Sequence, residues 1–223
     1  MSKAKSHIPE GFRTLTPYLI LDHAAAFQKF IEDAFGATER LVMRDGDGII
    51  RHAEARLGES IIEFAESSGR WKAMPAGLHY YVKDSDQAYA QALKAGGISL
   101  YEPANRDYGD REAGVEDPSG NFWFVSTHRE GKDYKPDILQ DLNTYFSVKD
   151  SPRFLDFLKR TFAADVVEHH AAGDGSIAHA KVRVGDTVFE LSEGRQPWGP
   201  RAVSHHLYVE NCDEAFARGK PLR

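Results

Sequence analysis

Several features that common protein classes require are missing from this sequence. It has one cysteine, Cys212, among 223 residues, so neither an intramolecular disulfide nor a Cys-x-x-Cys metal or redox motif can form. No apolar run approaches the roughly 18 residues that a membrane-spanning helix needs, and residues 1–12 lack the apolar segment of a signal peptide. Since a lone thiol fits a reducing compartment, we expect a cytoplasmic protein without a membrane partner.

Concentrated positive charge is missing as well. The chain has 28 Lys and Arg residues against 34 Asp and Glu residues, a formal net charge of −6, and its basic residues are scattered. Proteins that bind nucleic acid usually carry a basic patch or stripe. The sequence also has no P-loop, dinucleotide-binding fingerprint or nucleophile elbow. We therefore do not expect nucleic acid among the partners.

What the sequence does contain is an internal duplication with a constant offset of 127 residues (190 − 63). The Gly-Asp-Gly turn at 46–48 recurs at 173–175, and Glu63 recurs as Glu190. Between residues 18 and 66, 15 of 49 aligned positions are identical, where background composition gives about three. The matches include glycines, histidines and glutamates outside the helices, so chance similarity of two amphipathic helices does not explain them. The chain therefore holds two copies of one unit.

Hydrophobic spacing predicts the order of strands and helices within a copy. Apolar residues at i, i+3, i+4, i+7 and i+8 from Phe27 predict a helix that Gly36 ends, with Asp22 as its cap. A strand precedes this helix, and three strands follow it in hairpins with turns at 45–48 and 58–59. The same β-α-β-β-β order recurs in residues 78–126, so the first copy is itself two modules.

This pattern predicts an α+β fold of tandem β-α-β-β-β modules in two domains. We expect a complete domain at residues 13–128, a polar linker at 129–140 and a second domain at 141–223. The second copy has no counterpart of residues 97–128, so we expect the second domain to be C-terminally incomplete, with an uncovered sheet edge. An exposed edge invites strand pairing, and we expect the first domain or another subunit to cover it.

Five short motifs in the first copy point to a family. They are Thr-Pro-Tyr-Leu at 16–19, Ala-Phe-Gly-Ala at 34–37, Ile-Arg-His-Ala-Glu-Ala-Arg-Leu-Gly at 50–58, Tyr-Gly-Asp-Arg at 108–111 and Asp-Pro-Ser-Gly-Asn-Phe-Trp at 117–123. With the paired modules, they resemble the vicinal oxygen chelate superfamily of glyoxalases, bleomycin-resistance proteins and extradiol dioxygenases, and within it the uncharacterised PhnB-like branch. The resemblance implies curved mixed sheets that form glyoxalase-like cups, with a small organic ligand in the cup of the first domain.

The resemblance also implies where a metal ion would bind. Metal-using relatives take four ligands, one from the first strand and one from the last strand of each module. These positions fall on Leu15, Glu63, Gly77 and Phe124 in the first domain, and on Leu142, Glu190 and Ser204 in the second. Of these, only the two glutamates carry a metal-binding side chain. We therefore assign no cofactor, and leave open a divalent ion (Zn, Ni, Fe or Mn) held by Glu63 and His79.

Histidines near these positions extend the candidate site. His79 lies two residues after Gly77 and so faces the same side of its strand, where Glu63 and His52 would complete a partial site. The second copy repeats this trio as Glu190, His206 and His179. The histidines are either metal ligands or hydrogen-bonded cavity residues without a metal. Glu63 is either a general base with a raised pKa or the ion-pair partner of an arginine such as Arg111.

Aromatic side chains and one arginine are candidates for ligand contacts. Tyr81, Tyr108 and Trp123 either stack on a planar ligand or fill the core of a sheet. Arg111 either binds an anionic group of the ligand or anchors its own loop. We expect Trp198, on a loop between modules, to be a packing plug.

Three functions remain open from the sequence alone. The first is a glyoxalase-like protein that binds a small organic ligand, without a commitment to catalysis. The second is a divalent-metal-dependent lyase, isomerase or dioxygenase that uses Glu63 with nearby histidines, and the third is a structural or regulatory module with vestigial cups. The incomplete set of metal ligands favours the first. For assembly, we expect a homodimer or an intramolecular pseudo-dimer.

Overall fold

A computed structural model of the protein describes residues 6–130 and 133–220. The first module contains β1 (Leu15–Leu21), α1 (Ala24–Phe35), β2 (Thr38–Arg44), β3 (Ile50–Leu57) and β4 (Ser60–Glu66). The second contains β5 (Gly77–Tyr81), α2 (Ser85–Lys94), β6 (Ile98–Asn105), β7 (Asp110–Glu116) and β8 (Phe122–His128). The third contains β9 (Leu142–Val148), α3 (Ser151–Phe162), β10 (Asp165–Ala171), β11 (Ile177–Val184) and β12 (Thr187–Glu193). The fourth contains β13 (Ser204–Leu207) and α4 (Cys212–Gly219).

The predicted helix of the first module is present, but its cap differs from the prediction. Gly36 ends α1 in a left-handed conformation (φ 66°), which glycine adopts without steric cost. The start is capped by Glu66 rather than Asp22, because the Glu66 carboxylate accepts from the backbone N–H groups of His23 and Ala24 at 2.9 and 2.7 Å. Glu193 makes the same contacts at the start of α3. This shared role explains why the duplication retains glutamate at both positions.

The thirteen strands within the described ranges form two mixed sheets. The five-stranded sheet has the order β13-β1-β4-β3-β2, and the eight-stranded sheet has the order β10-β11-β12-β9-β5-β8-β7-β6. Strand β5 pairs antiparallel with β9, and β1 pairs antiparallel with β13. Each sheet therefore joins a module of the first copy to a module of the second. The expectation that residues 13–128 close a cup by themselves is wrong, because their two first strands pair with strands from beyond residue 128.

One glycine allows the pairing at the centre of the eight-stranded sheet. Gly77 on β5 faces Tyr145 on β9, and a β-carbon at position 77 would lie 3.0 Å from the Tyr145 carbonyl oxygen. A larger residue would push the two strands apart. The absence of a side chain at Gly77 is therefore a condition for close contact between the copies.

The helices pack differently from the strands. One hydrophobic core joins the first and second modules, with Phe27 and Phe30 of α1 and Trp123 of β8 among its buried residues. A separate core lies between α3 and the sheet formed by the third module. Helices thus connect modules within a copy, whereas strands connect modules between copies. The domain boundaries predicted from the sequence, at residues 13–128, 129–140 and 141–223, stay a prediction.

Strand β13 forms one end of the five-stranded sheet. Its repeat equivalent β5 lies between β9 and β8, whereas β13 pairs with β1 on one side and, among the described residues, with no strand on the other. The concave face of the five-stranded sheet is consequently more open at this end. Every helix in the described part of the chain is too short or too polar to cross a bilayer.

Candidate functional site

The concave faces of the two sheets, here called the five-stranded cup and the eight-stranded cup, hold matching pairs of histidine and glutamate. In the eight-stranded cup, His79 Nδ1 lies 2.6 Å from Glu190 Oε2. In the five-stranded cup, His206 Nδ1 lies 2.8 Å from Glu63 Oε2. The predicted partnership of Glu63 with His79 is wrong, because β5 joins the other sheet. Each of these two pairs takes its histidine from one copy and its glutamate from the other.

The strand register decides which predicted ligand positions face a cup. Tyr18 on β1 lies opposite Glu63, and Tyr145 on β9 lies opposite Glu190. Successive side chains of a strand point to opposite faces, so Leu15 and Leu142, three residues earlier, point away from the cups. Gly77, Phe124 and Ser204 lie at paired positions on the strands that line the cups but supply no charged ligand. In this register, Glu63 and Glu190 are the charged residues among the predicted ligand positions.

Around the paired histidine and glutamate, four positions match between the two cups and a fifth differs chemically. The matching pairs in the two copies are Tyr18 with Tyr145, His52 with His179, Glu63 with Glu190, and His206 with His79. The fifth pair is Glu54 and Lys181, which lie directly across the sheet from Glu63 and Glu190 respectively. Sequence reasoning missed this difference, although the constant offset of 127 residues aligns the two positions.

A large cavity occupies the eight-stranded cup, with a volume of about 930 Å³. Contacting rings form one wall, and their centroids lie 6.0 Å apart for Tyr101 and Trp198, 6.0 Å for Trp198 and Phe124, and 5.4 Å for Phe124 and Tyr145. Trp198 is therefore a packing residue, as expected, and also a lining residue. A β-carbon at Gly114 would lie 2.5 Å from the Tyr101 ring, so this glycine lets Tyr101 lie flat against the sheet.

A hydrogen-bonded chain crosses the base of this cavity. His79 donates from Nδ1 to Glu190 and from Nε2 to the Ser126 hydroxyl at 2.8 Å. Ser126 donates to Glu112 Oε2 at 3.2 Å, and Glu112 Oε1 accepts from the Tyr101 hydroxyl at 2.7 Å. In this hydrogen-bond network, both nitrogens of the His79 ring have a partner.

The charges of the buried pair follow from its surroundings. Burial opposes the charged form of His79, but the adjoining Glu190 carboxylate, with Glu112 and Asp110 further away, raises the pKa of His79 to about 9. Burial also opposes ionisation of Glu190, yet the attraction of His79 and the hydrogen bonds from His179 and His79 hold the Glu190 pKa below its usual value. At neutral pH the pair is an imidazolium and a carboxylate, so Glu190 is too weak a base for proton abstraction.

Other polar groups around the cavity are also paired. The Tyr81 hydroxyl donates to Asp110 Oδ2 at 2.8 Å, and His128 Nδ1 lies 2.7 Å from Asp110 Oδ1. Lys181 Nζ lies 2.7 Å from a carboxylate oxygen of Glu168. The predicted site residue Tyr81 thus lines the cavity, with its ring 4.4 Å from that of His79.

The five-stranded cup has a smaller cavity of about 400 Å³, lined in part by Tyr18, Trp71 and His206. Trp71 is the repeat equivalent of Trp198 (198 − 71 = 127), but it is 54% exposed. On β4 of the same sheet, Glu63 is buried, and burial together with the nearby Glu54 carboxylate raises its pKa against the opposing effect of His206 and His52. Glu63 therefore has the raised pKa expected of a general base, although its partner is His206 and not Arg111.

Two predicted ligand contacts lie outside both cavities. Arg111 forms a two-pronged ion pair with Asp86 on the surface, including a contact of 2.6 Å from Nη2 to Oδ1. Trp123 is fully buried among the helices, where its indole N–H donates to Asp117 at 2.8 Å. Both lie on the wrong strand face for the cup. Arg106 lines the cavity instead, with its guanidinium 4.6 Å from the centre of the Tyr101 ring, while Tyr108 lines the rim and is largely exposed.

The two cups differ in how well they suit a divalent cation. In the eight-stranded cup, both oxygens of Glu190 are hydrogen bonded to histidines and His79 carries a proton, so these residues do not fit a metal ion. In the five-stranded cup, single ligand atoms of His52, Glu54 and Glu63 all lie within 4.8 Å of one another. Imidazole and carboxylate ligands suit first-row divalent ions, so this trio fits.

Comparisons with known proteins agree with the fold. An uncharacterised protein of Mycobacterium tuberculosis (strain H37Rv) is 29% identical over 122 residues, which span 50% of this chain and 72% of that protein. An uncharacterised protein of Mycobacterium bovis is 29% identical over 122 residues, spanning 50% of this chain and 80% of that protein. The crystal structure of glyoxalase I from Zea mays superimposes with a TM-score of 0.63 at 15% identity, over 93% of this chain and 78% of that one.

Because the identity to the maize enzyme is low, this similarity supports the fold alone. Membership of the PhnB-like branch stays a prediction. A sequence model of one family matches residues 14–125, half of the chain. With the two curved mixed sheets, this match confirms the predicted family: the chain belongs to the Glyoxalase/Bleomycin resistance protein/Dioxygenase superfamily.

Proposed function

We propose that the protein binds a small organic ligand in the eight-stranded cup. The observation that carries the proposal is the cavity of about 930 Å³, with an aromatic wall on one side and a buried ion pair at its base. Pockets for small molecules typically measure about 300–1,000 Å³ and combine apolar walls with a few fixed polar groups. The proposal moves the binding site from the first domain alone to a cup built by β5 to β12.

The character of the lining favours a ligand with a flat ring. Tyr101, Phe124, Tyr145 and Trp198 offer the faces and edges of contacting rings, which pack well against another aromatic ring. Lys181 contacts Glu168 at 2.7 Å, and Arg106 lies within ion-pair distance of Glu112 at 3.6 Å, although its buried Nε makes no hydrogen bond. Stacking and shape, more than charge, are therefore proposed to dominate the affinity.

The duplication provides a matched pair of variants for testing this proposal. Trp198→Ala removes a ring from the proposed binding wall, whereas Trp71→Ala removes the equivalent ring from the other cup. We expect aromatic fragments to raise the melting temperature of the wild-type protein and of Trp71→Ala, and to lose this effect in Trp198→Ala. Aromatic fragments that stabilise all three proteins equally would contradict a site at the aromatic wall. A full screen without any stabilising fragment would contradict ligand binding itself.

A second candidate function is a divalent-metal-dependent lyase, isomerase or dioxygenase in the five-stranded cup. Its supporting observation is the raised pKa of Glu63 beside His52 and Glu54, because a raised pKa makes a carboxylate a stronger base. A metal ion would supply electrostatic stabilisation of an oxyanion. Metal-dependent turnover that Glu63→Gln abolishes and Glu190→Gln leaves in place would favour this function; turnover that survives Glu63→Gln would exclude it.

A further inference from the structure

We propose that His128 is a general base of the eight-stranded cup, oriented by Asp110, and that it takes a proton from a bound aromatic ring that carries an acidic hydroxyl group. The inference rests on the ligand binding proposed for this cavity and adds a chemical step to it. It follows from the geometry of the histidine and aspartate pair, the engagement of the other histidines and the lining of the cavity.

His128 and Asp110 form a hydrogen-bonded pair at one end of the cavity. They lie opposite each other on β8 and β7, and His128 Nδ1 is 2.7 Å from Asp110 Oδ1. Because a carboxylate only accepts, the hydrogen of the neutral imidazole lies on Nδ1 and its lone pair on Nε2. His128 lines the cavity, and among the residues that the structure describes its Nε2 makes no hydrogen bond. This nitrogen is therefore available to a ligand.

The carboxylate that orients His128 is itself held on two sides. Asp110 is 3% exposed, and its Oδ2 accepts from the Tyr81 hydroxyl at 2.8 Å. Its backbone carbonyl accepts from the N–H group of Arg106 at 2.7 Å. A buried carboxylate at Nδ1 fixes the tautomer of a histidine base and stabilises the imidazolium that forms when the base takes up a proton. Asp110 is accordingly a positioning residue.

The other three histidines that line this cavity direct Nε2 to a partner. His79 donates from Nε2 to the Ser126 hydroxyl. His179 Nε2 lies 3.3 Å from Glu190, and His170 Nε2 lies 2.8 Å from Glu168. A general base needs an unoccupied lone pair within reach of the proton that it removes. His128 meets this condition, with its carboxylate on the opposite ring nitrogen.

The proposed step is a balanced proton transfer. The O–H bond of the ligand breaks, a bond forms between the proton and His128 Nε2, and the electron pair stays on the ligand oxygen. Asp110 then faces an imidazolium, and the ring of the ligand spreads its negative charge. Arg106 lines the same cavity beside Tyr101, where its guanidinium would offset that charge. The step is reversible and involves no oxidant or reductant.

Nitrophenols test the assignment, because each is a flat ring whose hydroxyl changes absorbance when it ionises. The ionised fraction of the probe would be measured with saturating full-length protein, about one pH unit below the probe's own pKa. We expect this fraction to rise roughly fivefold over the free probe, as a lowering of the bound probe's pKa by about one unit requires. His128→Gln should return it to the value of the free probe. His170→Gln, at a cavity histidine whose Nε2 is already paired, should leave the rise in place.

Nitrogen NMR of the ligand-free protein provides a second test that requires no probe. We expect neutral His128 to carry its hydrogen on Nδ1, and we expect this preference to weaken in Asp110→Asn, whose amide can donate as well as accept. A purely structural pairing of the two strands would not require either result.

Three results would overturn the assignment. They are an Nε2–H tautomer of His128 in the wild-type protein, an equal ionised fraction of bound nitrophenol in wild type and His128→Gln, and failure of nitrophenols to bind where neutral aromatic fragments bind. If neither nitrophenols nor neutral fragments bind, the proposed ligand binding fails first. The two failures are therefore distinguishable.

Discussion

At the scale of single residues, the charge on His79 links the eight-stranded cup to pH. Its pKa is raised from 6.5 to about 9 in the folded protein. Stability from this shift is fully present below pH 6.5 and is lost as the pH rises through about 9, because the folded state then gives up a proton that the unfolded state has already lost. We expect the free energy of unfolding to fall by on the order of 3 kcal/mol over this window.

Chemical denaturation at a series of pH values tests this expectation. In His79→Gln, which cannot take up a proton, the decline between pH 6.5 and 9 should largely disappear. Parallel profiles for the wild-type protein and the variant would show that His79 does not carry a raised pKa.

The candidate residues were predictable from the sequence, but their partners were not. The repeat singles out Glu63, His52, His79 and their equivalents, and the structure places all of them in the cups. Which histidine meets which glutamate depends on strand pairing between residues more than 100 positions apart, and local spacing has no information about that. Arg111 failed as a ligand contact because nothing in its local pattern reveals Asp86 as a partner.

For Trp123, the sequence left both a ligand contact and a core position open. Side chains alternate along β8, so Trp123 and Phe124 point to opposite faces of the sheet. The sequence alone does not say which of these faces is concave. Because Trp123 is fully buried in the helix-side core, we expect Trp123→Ala to lower the free energy of unfolding by about 3–5 kcal/mol. We expect fragment binding measured well below the variant's melting temperature to persist. Loss of binding with unchanged stability would instead place Trp123 in the ligand site.

At the scale of elements, the pairing of β5 with β9 is the contact that unites the copies. We expect Gly77→Ala to destabilise the protein by about 1–3 kcal/mol, because its methyl group would press on the Tyr145 carbonyl oxygen at 3.0 Å. Gly46→Ala is the control, since a β-carbon there would contact nothing within 4 Å. Equal stabilities for the two variants, measured by urea denaturation, would contradict the close approach of these strands.

The order of elements was predictable, whereas the order of strands in the sheets was not. Helix α1 shows the 3.6-residue period of its buried phenylalanines, and the hairpins show their glycine turns, so both follow from local chemistry. The local sequences of β1 and β5 do not indicate which strands pair with their edges. A strand edge pairs with whichever strand the whole chain brings to it.

At the scale of the whole molecule, the two copies within the chain exchange strands, so that each sheet contains strands from both copies. If residues 13–128 were produced alone, β1 and β5 would each lack their neighbours from the second copy. We expect this fragment to form a homodimer in which β1 of one chain pairs with β5 of the other. Sedimentation analysis should show a dimer, and a well-folded, strictly monomeric fragment would contradict the expectation.

Strand β1 covers one side of β13. A partner subunit on the other side of β13 stays a prediction, and so does a cytoplasmic location. A dimer of the full chain that a proline in β13 disrupts would support the partner subunit.

The central claim is that each cup pairs a histidine of one copy with a glutamate of the other, and a double-mutant cycle tests it most directly. Free energies of unfolding would be measured at pH 7 for His79→Gln, Glu190→Gln, Glu63→Gln and the two double variants that contain His79→Gln. We predict a coupling energy of about 1–3 kcal/mol between His79 and Glu190, which lie 2.6 Å apart, and less than about 0.5 kcal/mol between His79 and Glu63. Strong coupling of His79 to Glu63, with none to Glu190, would contradict the shared cups.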